Sequence, residues 1–293
     1  MQDAKRIQLR ANGIDFVAYE RGTGPLLLCL HGFPDHPRSF RHQIAPLAAA
    51  GYRVVVPYMR GYAPTQAAPD GNYQTAVLAR DVIGLIDALG AEKAVVFGHD
   101  WGALAAYGAA LLAPQRVEKL VTAAVAYGIE FITRFMLDYR QLKRSWYIYF
   151  FQSPQADAAV AADDFEFLRN LWCDWSPGWR IPDAEMEALR ETFRQPGVLE
   201  AALAYYRCML DPTKQDPALA AEQAAQHLTP IEVPTLYIHG RIDGCLGADL
   251  VAGMESMFPA GLRVKTIEEA GHFVHQEKPE EVNAAILDFL KQP

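Results

Sequence analysis

What most constrains this chain is a set of short, continuous apolar runs separated by stretches of helical periodicity. Pro25-Leu26-Leu27-Leu28-Cys29-Leu30, Arg53-Val54-Val55-Val56, Ala94-Val95-Val96-Phe97 and Val121 to Val125 each read as a strand without a polar face. A strand with one face in water would alternate; these need cover on both sides. Between them a helix is predicted from about Ser39 to Ala50, stopped by Gly51. Val77, Leu78, Val82, Leu85, Ile86 and Leu89 then recur at helical spacing up to Gly90, and Ala103 to Leu112 reads as a small-residue helix. This β-α-β-α order predicts an α/β fold: a mostly parallel sheet, right-handed crossovers and helices on both faces. Residues 5–10 and 14–19, around Ala11-Asn12-Gly13, add a hairpin.

The pattern changes near Tyr127. From there to about Leu228 the sequence is helical, and it holds Trp146, Trp172, Trp175 and Trp179, every tryptophan but Trp101. Strand signals resume at Val233 to Ile238 and Leu262 to Thr266, and a last helix is predicted from Pro279 to Leu290. The reading is one α/β core, residues 1–127 and 229–293, interrupted by a helical insertion, 128–228. With 293 residues, 51% of them apolar, there is ample surface to bury. A net charge of −8 argues against a nucleic-acid or anionic-membrane partner. Met1 to Arg6 is charged with no apolar run behind it, so no secretory signal is expected. Trp101 to Pro114 is too short and too rich in Ala and Gly to span a bilayer. Cys29, Cys173, Cys208 and Cys245 form no CxxC pair, and buried free thiols in a reducing cytoplasm are expected.

The chemistry concentrates in Gly98-His99-Asp100-Trp101-Gly102, which follows a strand and opens a helix. There, small-x-nucleophile-x-small is a nucleophile elbow. Side chains in place of the glycines would collide with the neighbouring strand and helix. The exposed residue is Asp100. A serine must lose a proton before it attacks; a carboxylate is ionised near neutral pH and can displace a leaving group from an sp³ carbon directly. The competing reading is an Asp that merely caps the helix. In chain order an acid and a histidine should follow. Asp243, just past the strand Leu236 to Ile238, and His272, in Ala270-Gly271-His272-Phe273, stand where strand ends would bring them to the elbow. Asp243 could alternatively be a plain turn residue. His275 is expected to face solvent, since no HExxH accompanies it. The loop His31-Gly32-Phe33-Pro34 supplies the Phe33 amide as one oxyanion donor, with the Trp101 amide as the second; Pro34 is a candidate cis proline.

With these motifs in place, and with Arg60-Gly61-Tyr62 between them, the chain resembles the epoxide-hydrolase branch of the α/β-hydrolase superfamily over nearly its whole length. The resemblance implies an α/β-hydrolase fold with an eight-stranded sheet, the insertion acting as a helical cap. Tyr147-Ile148-Tyr149-Phe150-Phe151-Gln152 and Tyr205-Tyr206-Arg207 resemble the two cap motifs whose tyrosines hold the epoxide oxygen, with Tyr147 and Tyr206 at the reactive positions and Tyr149 the alternative to Tyr147. Phe150 and Tyr205 depart from the family pattern at positions that bear on substrate fit. The implied reaction is attack by Asp100 on an epoxide carbon, then hydrolysis of the alkyl-enzyme ester by water that His272, oriented by Asp243, deprotonates. It implies no metal and no organic cofactor. The expected partners are a small apolar or aromatic epoxide, held among Phe33, Trp101, Tyr147 and Tyr206, and water; a homodimer is allowed. One rival is a haloalkane dehalogenase with the same nucleophile, but Phe33 stands where a second halide donor such as Asn would be needed. The other is a non-catalytic binder of apolar ligands, which a complete triad argues against.

Overall fold

The computed structural model describes Met1 and residues 3–292. Eight strands, β1 (Lys5–Ala11), β2 (Ile14–Arg21), β3 (Leu26–Leu30), β4 (Arg53–Pro57), β5 (Ala94–His99), β6 (Val117–Ala123), β7 (Thr235–Gly240) and β8 (Leu262–Ile267), form a sheet in the order β1-β2-β4-β3-β5-β6-β7-β8. β2 pairs antiparallel with β1 and β4; every other pairing is parallel. This is the eight-stranded, mostly parallel sheet the sequence implied.

The continuous apolar runs are explained by two cores, one on each face. In β3, Leu26, Leu28 and Leu30 enter one core and Leu27 and Cys29 the other. The first core takes Leu78, Val82 and Leu85 of α2 (Thr75–Ala88) and Ala103 and Ala106 of α3 (Trp101–Leu112). The second takes Ile44 and Leu47 of α1 (Ile44–Ala49) and Val282, Ile286 and Phe289 of the C-terminal helix at Pro279–Leu290. The predicted helix from Ser39 is divided: a 3₁₀ turn spans Pro37–His42 and α1 follows. Pro46 has no N–H to give the His42 carbonyl, and its ring would clash with it; that carbonyl accepts from Asn283 Nδ2 instead, at 2.9 Å. β6 starts earlier than predicted and stops at Ala123, because Ala124 has φ +70°.

Between β6 and β7 lie α4 (Ile129–Leu137), α5 (Tyr139–Arg144), α6 (Trp146–Phe150), α7 (Ala156–Trp175), α8 (Asp183–Phe193), α9 (Val198–Leu210) and α10 (Ala220–Ala225); α11 (Val274–Glu277) and α12 (Pro279–Leu290) close the chain. The inserted helices are tied to the core by directed bonds. Trp172 Nε1 donates to the Pro34 carbonyl at 2.8 Å. The Trp175 carbonyl accepts from the amides of both Gly244 and His272, each at 3.0 Å. Tyr205 Oη donates to the Arg60 carbonyl at 2.7 Å. Of the cysteines, Cys29, Cys208 and Cys245 are buried and Cys173 is exposed, so the expectation of buried thiols fails at one position. No helix among the described residues is long and apolar enough to cross a membrane.

Arg60 explains why Arg60-Gly61-Tyr62 stands out in the sequence. Its guanidinium grips Asp81 of α2 with both ends, Nε to Oδ2 at 2.7 Å and Nη2 to Oδ1 at 2.6 Å, and both side chains are buried. Burial pushes the Asp81 carboxyl up while Arg60 pulls it down, so the ion pair holds only while both partners are present. Arg60→Met strands the carboxylate and is expected to cost about 3–5 kcal/mol in urea unfolding, whereas the double replacement Arg60→Met with Asp81→Leu should recover most of that loss. A single mutant as stable as the unmodified protein would show the pair to be dispensable.

Candidate active site

The site begins at the junction of β5 and α3. Asp100 bridges them at φ +52°, ψ −121°, a conformation that non-glycine residues rarely adopt. The helix can start there because of its neighbour: a Cβ on Gly102 would lie 2.0 Å from the Leu30 carbonyl oxygen. Asp100 makes no side-chain cap to α3, so the capping alternative does not describe it. Its Oδ1 accepts the Phe33 amide at 2.7 Å. Gly32 makes that approach possible, since a Cβ there would sit 2.2 Å from the same oxygen. His31 shapes the loop: Nε2 accepts from the Met59 amide at 3.0 Å, which leaves Nδ1–H to donate to the Gly32 carbonyl at 3.0 Å. Burial lowers His31 to about 4, so it is neutral. Phe33–Pro34 is cis, as anticipated.

Asp243 follows β7 and His272 follows β8. Asp243 Oδ2 lies 3.0 Å from His272 Nδ1, while its Oδ1 accepts the Cys245 and Leu246 amides at 2.7 and 2.9 Å. Asp243 is thus a turn residue and the partner of the histidine at once. Burial works against its charge, but His272, His239 and the backbone bonds outweigh it and hold the carboxyl below its ordinary value. His272 Nε2 is buried without a hydrogen-bond partner and lies 3.7 Å from Asp100 Oδ2. Burial opposes the imidazolium, yet the groups around it, Cys245, Asp243 and Asp100, raise His272 well above its ordinary value. Burial also pushes the Cys245 thiol up, so the two carboxylates are the anions that matter. An imidazole placed between two carboxylates can pass protons, and its charge depends on theirs.

Above Asp100 is a cavity of about 70 Å³ whose wall includes Tyr147 from α6, Tyr206 from α9 and Trp101. The two tyrosine rings meet edge-on at 5.6 Å between centroids. Tyr206 Oη is buried without a partner, and Tyr147 Oη lies 3.4 Å from Cys245 Sγ. Burial first, with the charge of nearby groups including Asp100, raises both phenols well above the ordinary value and keeps them protonated. Tyr149 is 47% exposed, so of the two candidates in its motif Tyr147 is the one at the cavity. The Trp101 ring packs edge-on against Tyr205 and Tyr206. The Phe33 side chain is a correction: its ring packs among Phe151, Phe193 and Tyr206 and is absent from the cavity wall, leaving its amide as its contribution.

Some groups at the site had no sequence signal strong enough to single them out. Cys245 is one; its position two residues after Asp243, on the same turn, was the available clue. Behind the elbow Asp35, His99 and His275 are fully buried, with donor atoms within 4.8 Å of one another. His275 was expected in solvent. Instead it begins the segment that plugs the second core, its ring 4.9 Å from Phe40 and 4.5 Å from His99. Burial raises Asp35 to about 8 and lowers His99 to about 3, so the group is uncharged. Among the described residues, this set and Asp243, Cys245 and His272 are the two clusters whose donors could face a metal ion.

The comparisons agree with this geometry. The alpha/beta hydrolase fold family matches residues 25–279. AB hydrolase superfamily protein YfhM of Bacillus subtilis is 34% identical, over 97% of this chain and 96% of its own. Epoxide hydrolase 3 of Siraitia grosvenorii is 31% identical, with full coverage of both chains. A mutant epoxide hydrolase from Bacillus megaterium, solved with its naphthyloxy-propanediol product, superimposes with a TM-score of 0.85 at 26% identity, covering 98% of this chain and all of its own. An Asp elbow, a histidine between two carboxylates and a paired-tyrosine cavity, together with these relatives, lead to one conclusion: the chain belongs to the α/β-hydrolase fold family and, within it, to the epoxide hydrolases.

Proposed function

We propose that the protein converts epoxides to vicinal diols through a covalent ester on Asp100, with residues 128–228 acting as a cap over the core formed by 1–127 and 229–293. The observation that carries this reading is the pair of protonated phenols in the cavity above Asp100, one of them, Tyr206, with no acceptor of its own. A buried hydroxyl without a partner costs free energy, which an acceptor oxygen on the substrate would return.

The contacts support the following steps. An Asp100 oxygen attacks one epoxide carbon and the carbon–oxygen bond of the ring breaks. The electron pair leaves on the oxygen, where Tyr147 and Tyr206 donate hydrogen bonds and one of the phenols gives its proton to the alkoxide. The ester removes the Asp100 charge, one of the anions that hold the His272 proton, so the imidazolium releases that proton, which restores the phenol through solvent, and the ring becomes the base that the second step requires. His272, held by Asp243, then takes a proton from water, and the hydroxide adds to the ester carbonyl. The Phe33 and Trp101 amides stabilise the oxyanion; its collapse breaks the ester bond to the alkyl oxygen, which takes the proton of the new Asp100 carboxyl, so the diol leaves and the Asp100 carboxylate returns. Two phenols suit a developing alkoxide better than a departing halide, which needs no proton. Phe131, Phe135, Ile148 and Leu246 give the wall a largely apolar lining, which favours aryl or medium alkyl epoxides over small polar ones. The aromatic product bound by the Bacillus megaterium relative points the same way.

Single turnover in ¹⁸O-water with excess enzyme tests the covalent route: label is expected in Asp100 and absent from the first diol, whereas label in that diol alone would mean direct attack by water. His272→Gln should spare ester formation and stop its hydrolysis, so the alkyl-enzyme should accumulate and be visible by mass spectrometry. The need for an unprotonated His272 in the ester gives the sign of the pH dependence. As pH falls the base is lost, so in the unmodified enzyme hydrolysis of the ester should slow before its formation does, and the ester should build up on the acid side. Tyr147→Phe and Tyr206→Phe should each lower kcat/KM on styrene oxide by about 10²–10³. The double mutant should lose less than the product of the two, with little change in Tm. Wild-type kinetics in both single mutants would reduce the tyrosines to packing.

A further inference from the structure

The cavity has one polar member that the chemistry above does not use. His227 lies in its wall, past the end of α10, at φ +63°. Its Nδ1 accepts the Gly128 amide at 3.4 Å, which joins the start and the end of the inserted segment. The ring is stacked on Tyr127 at 5.0 Å and 28°, and lies 5.2 Å from Phe131. Burial lowers His227 to about 4, so the imidazole is neutral near pH 7. With Nδ1 accepting, the single ring proton is on Nε2. That N–H has no hydrogen-bond partner among the described residues. Nor is it a fully sealed polar atom. A neutral side chain with a spare donor therefore stands in the wall of a cavity whose other non-reacting members are apolar.

We propose that His227 Nε2–H is a substrate-recognition donor, and that the preferred epoxides carry a hydrogen-bond-accepting oxygen in the side chain, as glycidyl ethers and esters do. An ether or ester oxygen buried against Phe131 and Ile148 alone would lose its water without replacement, while one that meets the imidazole N–H keeps a hydrogen bond. This inference deepens the epoxide reading and rests on it. The competing role is a purely structural clamp through Nδ1, and the two nitrogens allow the roles to be separated.

The test compares benzyl glycidyl ether with its carbon isostere, in which a methylene replaces the ether oxygen. His227→Asn retains an acceptor for the Gly128 amide and withdraws the far donor; His227→Gln retains a donor at the far position. In His227→Asn the ratio of kcat/KM values, ether over isostere, should fall roughly 3- to 10-fold, mainly through KM; in His227→Gln it should stay near the wild-type ratio. An unchanged ratio in His227→Asn, or an equal loss on both substrates, would overturn the proposal. The unmodified enzyme gives a second reading: the ¹⁵N resonance of His227 Nε2 should shift on adding the ether diol and not on adding its carbon isostere, and equal responses would also overturn it. Wild-type enzyme that opens neither epoxide would instead remove the epoxide reading on which this one stands.

Discussion

The candidate site depends on one close approach, the backbone of Gly102 against the Leu30 carbonyl. With the first turn of α3 that near to β3, the chain leaving β5 must turn within one residue, and Asp100 is held in a conformation its side chain disfavours. The same crowding brings the loop after β3 over the carboxylate, where the Phe33 amide binds it. The parallel sheet then delivers the ends of β7 and β8 to the same side, and with them Asp243 and His272. Each later contact presupposes this first one.

Charge is distributed economically around that turn. His31, His99 and His275 are driven neutral by burial, Asp35 is driven protonated, and the two cavity phenols keep their protons. The carboxylates that face the His272 ring are Asp243 at Nδ1 and Asp100 beyond Nε2, and Glu277 acts on the ring from its place against the Gly271 amide. The fewer the background charges, the more the state of one carboxylate governs the proton on the ring.

Much of this was legible in the sequence because the relevant constraints are local. Continuous apolar runs announce strands covered on both faces, and Gly98 to Gly102 announces a turn too tight for side chains. Asp243 and His272 could be chosen because parallel strands end on one side. What stayed hidden depends on packing between distant segments. Phe33 reads as a substrate contact until Phe151, Phe193 and Tyr206 are seen to surround its ring. His275 reads as exposed until Phe40 and His99 are seen against it. The division of the helix near Ser39 was signalled by Pro46, which lies inside the predicted span. Cys245 and His227 emerge only when the insertion is folded over the core, since nothing within a few residues of either fixes its neighbours.

The pair of hydrogen bonds that the Trp175 carbonyl accepts has a consequence for how such a protein can change over evolutionary time. The loops that carry Asp243 and His272 both borrow their backbone geometry from the last turn of α7. Drift in that turn would disturb the Asp243 and His272 loops together, so it is poor ground for change. α4 has no such duty. It presents Phe131, Ile132 and Phe135 to the cavity while Ile129, Met136 and Leu137 remain exposed. One inserted segment thus has a region held by both loops and a region that is less tied, and the cavity wall on α4 can change without disturbing the Asp243 and His272 loops.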